Sequence, residues 1–319
     1  EAINDAGWNV SYTASPDEHP FHLQFYRDSE SYAVQIYVWH LTHGGGAARP
    51  RNEYRIQITG ITRFQPSPSE KTLVLGWWAE TGIFAGFDIR KHQGRLGASP
   101  SIQIRRECLE AATQNGFSPC DKGNGEVAIA FRPDFIVDYV ANLEPLHDFG
   151  QAPQDLQTLD RAARDPALNE GELVVSDAAR KVTILSIKKK LRDAGFQRRV
   201  LTAYSFHCAV CGVQLKLVDA AHIVPVHHER STDETSNGLA LCALHHRAYD
   251  RALIAVKEDY TVFLNDAQIR ELRKSALAEG APEFARNLRP SILLPAALSD
   301  RPHVEYLRIA NAARGIDLL

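Results

Sequence analysis

Methionine is absent from this chain of 319 residues, although ordinary usage predicts several at such a length. Long apolar runs are absent too: no stretch approaches the roughly 18 residues that cross a bilayer, so the sequence predicts no association with a membrane. The first ten residues, EAINDAGWNV, lack a basic segment followed by an apolar core, so we expect no signal peptide and a cytoplasmic location. With 44% hydrophobic and 24% charged residues, the composition is typical of a globular protein and excludes a disordered or fibrous one.

Cysteine is scarce and unevenly placed. Of the five cysteines, Cys108 and Cys120 lie apart, whereas Cys208, Cys211 and Cys242 fall within 35 residues. An odd number of cysteines in a chain that we expect to be cytoplasmic argues against a disulfide framework and favours a metal site.

Net charge is also small, at −3, so the chain as a whole does not have the composition of a polyanion-binding protein. The charge is nevertheless segregated: residues 180–251 contain 12 Lys or Arg and six Asp or Glu, whereas residues 151–179 contain two and six. A basic segment of this kind is typical of nucleic-acid binding, and it is equally typical of a solvated helix face.

The length is about twice that of a common domain, which predicts two domains. Residues 1–150 are predicted to be strand-rich. Runs of β-branched and aromatic residues lie at 31–41, 53–58, 71–78, 83–89 and 101–104, before a predicted helix at 105–115. Residues 151–178 are polar, carry two prolines and are predicted to be a linker with at most one short helix. Residues 179–319 are the predicted second domain, which begins with a helix up to Gly195 and a second short helix after it.

Two pairs of metal-binding side chains stand close together in the second domain. Cys208 and Cys211 are separated by two residues, with Gly212 at the turn, and Cys242 and His245 repeat this spacing. Two such turns place four ligands around one ion, which is the arrangement of a structural zinc site. The sequence therefore predicts Zn²⁺ at these four side chains.

A purely structural zinc site leaves three polar residues of the same segment unexplained: His222 in DAAHIVP, Asn237 in NGLAL and His246 in LCALHHRAYD. Together with the C-A-V-C-G knuckle and the aromatic-Asp pair at the end, they resemble the signature of the HNH endonucleases. The resemblance covers roughly residues 185–260 and says nothing of residues 1–150. It implies a helical ββα-metal nuclease domain with a structural zinc. Together with the strand-rich first domain, which we expect to recognise the target, this predicts an α+β protein.

The resemblance also implies metal-dependent hydrolysis of DNA. His222 is then the general base for the attacking water, because imidazole titrates near neutral pH. His246 is then a ligand of one catalytic Mg²⁺ or Mn²⁺ ion. Asn237 inherits the role of fixing the finger loop or orienting the base.

One position departs from the family pattern. Many family members carry a second ligand of the catalytic ion directly before the general base, where this chain has Ala221. Asp219, on the same strand face as Ala221, is the nearest substitute, and a solvated carboxylate explains it equally well. Asp250 is the next candidate.

Basic residues in both domains are predicted to contact DNA. Those near the finger hold phosphates, which positions DNA without reading its sequence. They are Lys188, Lys189, Lys190, Arg192, Arg198, Arg199 and Arg247. The candidates in the first domain form a Gly-rich loop and would select the target: Arg90, Lys91, His92 and Arg95.

The resemblance implies a restriction or other defence endonuclease, a group that includes enzymes that recognise modified bases. One HNH centre acts on one strand, so a double-strand break predicts a homodimer. Two alternatives stay open: a defence nuclease that is activated by a small signal bound to the first domain, and a zinc-stabilised nucleic-acid-binding protein without catalysis. The His222, Asn237 and His246 pattern argues against the second alternative, since a structural finger needs none of them.

Overall fold

The computed structural model describes residues 1–43, 50 and 52–316. The chain divides into two compact units, Glu1–Leu191 and Arg192–Leu319. The sequence predicted a domain boundary at residue 150 and a linker over 151–178, whereas the observed division lies further along the chain.

Unit 1 is built on one large sheet. Its strands are β1 Asn9–Tyr12, β2 Phe21–Arg27, β3 Glu30–His43, β4 Glu53–Gln57, β5 Lys71–Trp78, β6 Ile83–Phe87, β7 Ser101–Arg105, β8 Phe117–Asp121 and β9 Val127–Phe131. Its helices are α1 Ala2–Asp5, α2 Arg106–Asn115, α3 Ile136–Ala141, α4 Leu143–Asp148 and α5 Pro153–Arg164. The predicted strand-rich character of this half of the chain is confirmed.

Seven strands follow the order β1-β2-β3-β5-β6-β9-β8, and β4 pairs with both β3 and β7. β3 and β5 run parallel, and the other pairs are antiparallel. Gly76 of β5 lets side chains of β3 and β4 pack closely against the β5 backbone. A Cβ at this position would lie 2.6 Å from Cγ of Leu41 in β3 and 2.9 Å from Cγ2 of Ile56 in β4. The apolar side chains of β4, β5 and β7 therefore pack into one core with α2.

The predicted linker contains α5 and packs within unit 1. Leu156 and Leu159 are buried, and the buried carboxylate of Asp155 accepts a hydrogen bond from the backbone N–H of Ser176 and pairs with Arg180 at 3.0 Å. The polar composition that predicted a linker belongs to the exposed face of this amphipathic helix.

Cys108 and Cys120 form a disulfide that joins α2 to β8, with an S–S distance of 2.17 Å. The expectation that the chain has no disulfide is therefore wrong for this pair. The odd count arises because the other three cysteines lie together in unit 2.

Unit 2 contains the predicted finger. The helix α6 Ala178–Ala203 includes the residue at which unit 2 begins. After α6 come β10 Val218–His222, β11 Gly238–Cys242, α7 Ala243–Asp250, β12 Ile254–Val256, β13 Val262–Leu264, α8 Asp266–Lys274, α9 Ala281–Arg286 and α10 Val304–Ala313. α6 continues through Gly195, where the sequence predicted a break. Phe196 and Val200 are buried directly after this glycine, and their packing keeps the chain helical. None of the helices in the described part of the chain has the length and apolar character of a membrane span.

Candidate functional site

The functional residues of unit 2 stand on an antiparallel hairpin and the helix that follows it. β10 and β11 pair from Val218 opposite Cys242 to His222 opposite Gly238. α7 begins directly after Cys242, so the hairpin and the helix share one core with the end of α6 and with α10. The ββα arrangement implied by the sequence resemblance is confirmed.

The four predicted zinc ligands come together at the start of α7. Sγ of Cys211 lies 3.9 Å from Sγ of Cys242, and Nδ1 of His245 lies 3.2 Å from Sγ of Cys242 and 3.5 Å from Sγ of Cys208. All four donor atoms lie within 4.8 Å of one another. A tetrahedral zinc with its usual bond lengths has edges of roughly 3.5–3.8 Å, so this donor set fits such an ion.

The protonation of the thiols also suits a cation. Burial opposes ionisation of Cys208, but hydrogen bonds from His245 and from backbone N–H groups outweigh it and lower its pKa to about 6. Burial raises the pKa of Cys211 to about 12. Metal is bound by the thiolate form, so the lowered pKa of Cys208 favours a cation at this site, and a bound cation lowers the pKa of neighbouring thiols.

His222 is held at the end of β10 by two contacts. Its ring stacks on Phe196 of α6, with centroids 3.8 Å apart and an interplanar angle of 12°. Its Nε2 lies 3.0 Å from Oδ1 of Asp233 in the loop between the strands. The imidazole is therefore fixed in orientation, with 16% of its side chain exposed.

Asn237 is fully buried and ties the ends of that loop together. Its Oδ1 accepts a hydrogen bond from the backbone N–H of Val224 at 2.9 Å, and its Nδ2 donates to the carbonyl oxygen of Thr232 at 2.8 Å. Of the two roles that the resemblance implies for Asn237, these contacts favour fixing the finger loop.

His222 and His246 line one cleft of about 890 Å³. The other ionisable residues of the lining are His227, Asp250, Arg251 and Arg314. Nε2 of His246 lies 3.8 Å from Oδ2 of Asp250, one helical turn further along α7. A nitrogen and a carboxylate oxygen thus stand side by side, as ligands of a divalent ion do.

Asp219 lies away from this cleft. Side chains alternate along a strand, so Ala220 and His222 face the cleft and Asp219 projects from the opposite face. The prediction placed Asp219 with Ala221, and the two do share a face, but that face is not the one that carries His222. Asp250 therefore replaces Asp219 as the candidate carboxylate ligand.

The predicted phosphate contacts divide into two groups. Lys188 is only 4% exposed, and its ammonium donates to the carbonyl oxygen of Leu168, which corrects its prediction as a DNA contact. Lys190 pairs with Asp138 at 3.5 Å, and Nη2 of Arg199 donates to the carbonyl oxygen of Asp233 at 2.6 Å. Arg199 is nevertheless exposed, and the exposed members without such a partner among the described residues are Lys189, Arg192, Arg198 and Arg247.

The basic loop of unit 1 is largely neutralised by acidic partners. Arg90 pairs with Asp88 and Asp148, each at 2.8 Å, and His92 pairs with Glu126 at 2.9 Å. Burial opposes the ionisation of Glu126, but hydrogen bonds from His92 and Lys122 outweigh it and lower its pKa to about 2. Arg90 and His92 therefore have structural partners.

Lys91 and Arg95, by contrast, are exposed. They remain the candidates for a contact with DNA in the first unit.

Comparison with known families identifies the class of protein. Residues 208–257 match the family described as HNH endonuclease, and residues 32–140 match the family described as Methylase-associated X1. The match makes the segment 208–257 an HNH endonuclease segment, and the chain is therefore a nuclease. No curated protein matches the chain.

Among solved structures, a similar chain is the "Modification dependent TagI restriction endonuclease". The two are 10% identical, over 88% of this chain and 81% of that chain, with a TM-score of 0.30.

The sequence prediction missed three residues of the site: Phe196, Asp233 and Arg314. Phe196 lies in a region predicted only as helix, and Asp233 lies in a polar loop without local regularity. Arg314 is 68 residues beyond His246, where no spacing connects it to the motif.

Proposed function

We propose that this protein is a restriction-type DNA endonuclease, in which unit 2 cuts DNA and unit 1 selects the target. The observation that carries the proposal is the shared cleft of His222 and His246, formed by the segment that matches the HNH endonucleases. The match of residues 32–140 to a methylase-associated family supports a link to DNA modification.

His222 is the proposed general base. Its contacts to Phe196 and Asp233 fix the ring, so that it can take a proton from a water aligned with the phosphate. The water oxygen forms a new bond to phosphorus, the bond to the 3′ oxygen breaks, and the 3′ oxygen takes a proton from solvent. Asn237 keeps the loop and the base in register.

The proposed ligands of the catalytic Mg²⁺ or Mn²⁺ ion are His246 and Asp250. Such an ion supplies charge neutralisation on the phosphate and on the leaving oxygen. Zn²⁺ at Cys208, Cys211, Cys242 and His245 has a structural role, because all four positions are occupied by protein ligands.

Target choice is proposed to lie in unit 1, with Lys91 and Arg95 as DNA contacts. A double-strand break requires two nuclease centres, so we propose a cytoplasmic homodimer. Light scattering of the full-length protein tests this assembly, and a monomeric mass in the presence of DNA would contradict it.

The decisive experiment digests methylated and unmethylated plasmid with Mg²⁺, Mn²⁺ or EDTA. We expect metal-dependent cleavage that differs between the two plasmids. The His222→Ala variant should lose about two to four orders of magnitude in rate while still binding DNA, because it lacks the base and little else.

His227→Ala is the matched control, since His227 lines the same cleft on an exposed loop. Near-normal cleavage by His222→Ala, or an equal loss in His227→Ala, would refute the assignment of the base. Equal cleavage of both plasmids would refute modification dependence.

A further inference from the structure

The cleft contains an arginine that lies outside the HNH match at residues 208–257: Arg314. It directly follows α10, and its backbone N–H donates to the carbonyl oxygen of Ala310 at 3.1 Å. The side chain is half-buried. Its position is therefore set by the helix and by the core beneath it.

The guanidinium of Arg314 is held on two sides. Nη1 donates to the carbonyl oxygens of Ile223 at 2.9 Å and Ala310 at 3.3 Å. Cζ lies 4.1 Å from the centroid of the Tyr249 ring. Ile223 directly follows His222, so these contacts fix the arginine to the end of the strand that carries the proposed base.

The charge of Arg314 has no carboxylate partner within 4.0 Å among the residues that the structure describes. Arg308, on the same helix, pairs instead with Glu258 at 2.9 Å and Glu305 at 2.7 Å. A half-buried charge without a counter-ion is costly, so the surroundings of Arg314 favour an incoming anion. The five donors of a planar guanidinium match phosphate oxygens in geometry.

We propose that Arg314 is a catalytic residue that binds the scissile phosphate in this cleft and stabilises the negative charge that develops on it. The inference rests on the proposed nuclease function of the same cleft. It extends the active site to α10, so that the strand end at His222, the α7 residue His246 and the end of α10 surround one phosphate.

The test compares full-length Arg314→Gln and Arg314→Lys with Arg308→Gln, a control on the same helix. Plasmid cleavage is measured with Mg²⁺ or Mn²⁺ over a range of NaCl concentrations, together with thermal melting and metal content. We expect Arg314→Gln to lower kcat by about 100-fold, since removal of one donor that stabilises developing charge has an effect of this order. Arg314→Lys should recover part of the loss, and Arg308→Gln should cleave like wild type.

Salt dependence separates a phosphate contact from a structural brace. Each phosphate contact contributes about 0.9 to the slope of log affinity against log salt concentration, so Arg314→Gln should lose about one unit of slope in kcat/KM. A kcat within threefold of wild type would overturn the inference. A lower rate with an unchanged slope and a lower melting temperature would also overturn it, because Arg314 would then only brace Ile223.

A wild-type protein that cleaves no plasmid with either metal ion would overturn the proposed function and this inference together. A wild-type protein that cleaves, with an Arg314→Gln variant that cleaves equally well, would overturn the inference alone.

Discussion

Two glycines of unit 2 should respond to alanine in opposite directions. Gly238 begins β11, opposite His222, and a Cβ there would overlap Cγ2 of Val200 and lie 3.2 Å from Cζ of Phe196. Val200 is fully buried and β-branched in a helix, so one χ1 rotamer is strongly preferred and the side chain cannot easily turn away. Overpacking of this kind costs about 1–3 kcal/mol of unfolding free energy. Gly238→Ala should therefore be destabilised by that amount.

Gly195 is the matched control, within α6. The nearest atom to a Cβ there is Nη1 of Arg199 at 3.3 Å, the tip of an exposed and flexible side chain. Alanine is favoured over glycine in a helix interior by about 0.5–1 kcal/mol, so Gly195→Ala should stabilise unit 2.

The assay can separate the two units. All four tryptophans, Trp8, Trp39, Trp77 and Trp78, lie in unit 1, so tryptophan fluorescence during urea unfolding follows that unit and serves as an internal reference. Far-UV circular dichroism follows both units. Gly238→Ala should shift only the dichroism transition to lower urea. It should also slow cleavage, because a displaced Phe196 ring no longer stacks on the His222 ring in the same position. Equal stability of Gly238→Ala and wild type, or a loss of stability in Gly195→Ala, would refute the packing argument.

Two further predictions concern the metal site and acid stability. Cys211→Ser should reduce the metal content from about one zinc per chain and lower the melting temperature of unit 2, because structural zinc contributes folding free energy. Cys108→Ser, in the disulfide of unit 1, is the control and should leave the metal content unchanged. A Cys211→Ser protein that still contains one zinc per chain would contradict the four-ligand site. Glu126 has a folded-state pKa of about 2, below the usual value of 4.5, so its stabilisation of unit 1 is present above pH 4.5 and is lost as the pH falls towards 2. Glu126→Gln should remove this contribution to the pH dependence of the unfolding free energy of unit 1, as followed by tryptophan fluorescence between pH 5 and 2. An unchanged acid unfolding curve would show that the ion pairs with His92 and Lys122 contribute nothing to stability.

Local sequence was sufficient where one short pattern determines one element. The C-x₂-C and C-x₂-H pairs predict four ligands that the structure brings within 4.8 Å. Runs of β-branched residues predict β3, β4, β5, β6 and β7 to within a few residues. In these cases the contacts that decide the structure lie within the pattern itself.

Prediction failed where the decisive contact is distant in sequence. Gly195 reads as a helix break, yet packing of Phe196 and Val200 overrides its low helix propensity. Lys188 reads as a DNA contact because its neighbours are basic, yet its carbonyl partner at Leu168 is 20 residues away. Asp219 reads as a ligand because of its nearness to His222, although strand alternation turns it to the other face.

The core of unit 2 sets limits on how this nuclease can be exchanged between proteins. Residues far beyond the motif brace it: the backbone N–H groups of Arg289 and Leu293 donate to the carbonyl oxygens of Val210 and Ala209, and that of His303 donates to Ser236. Leu307 and Ala310 of α10 belong to the same apolar cluster as Phe196 and Val200. Recombination that joins a new target reader near residue 204 would therefore remove Phe196 and Val200 from this cluster, and a junction directly after residue 257 would remove α10. A viable chimaera must inherit residues 192–316 as one block, so the transferable cassette is more than twice as long as the segment by which the family is recognised.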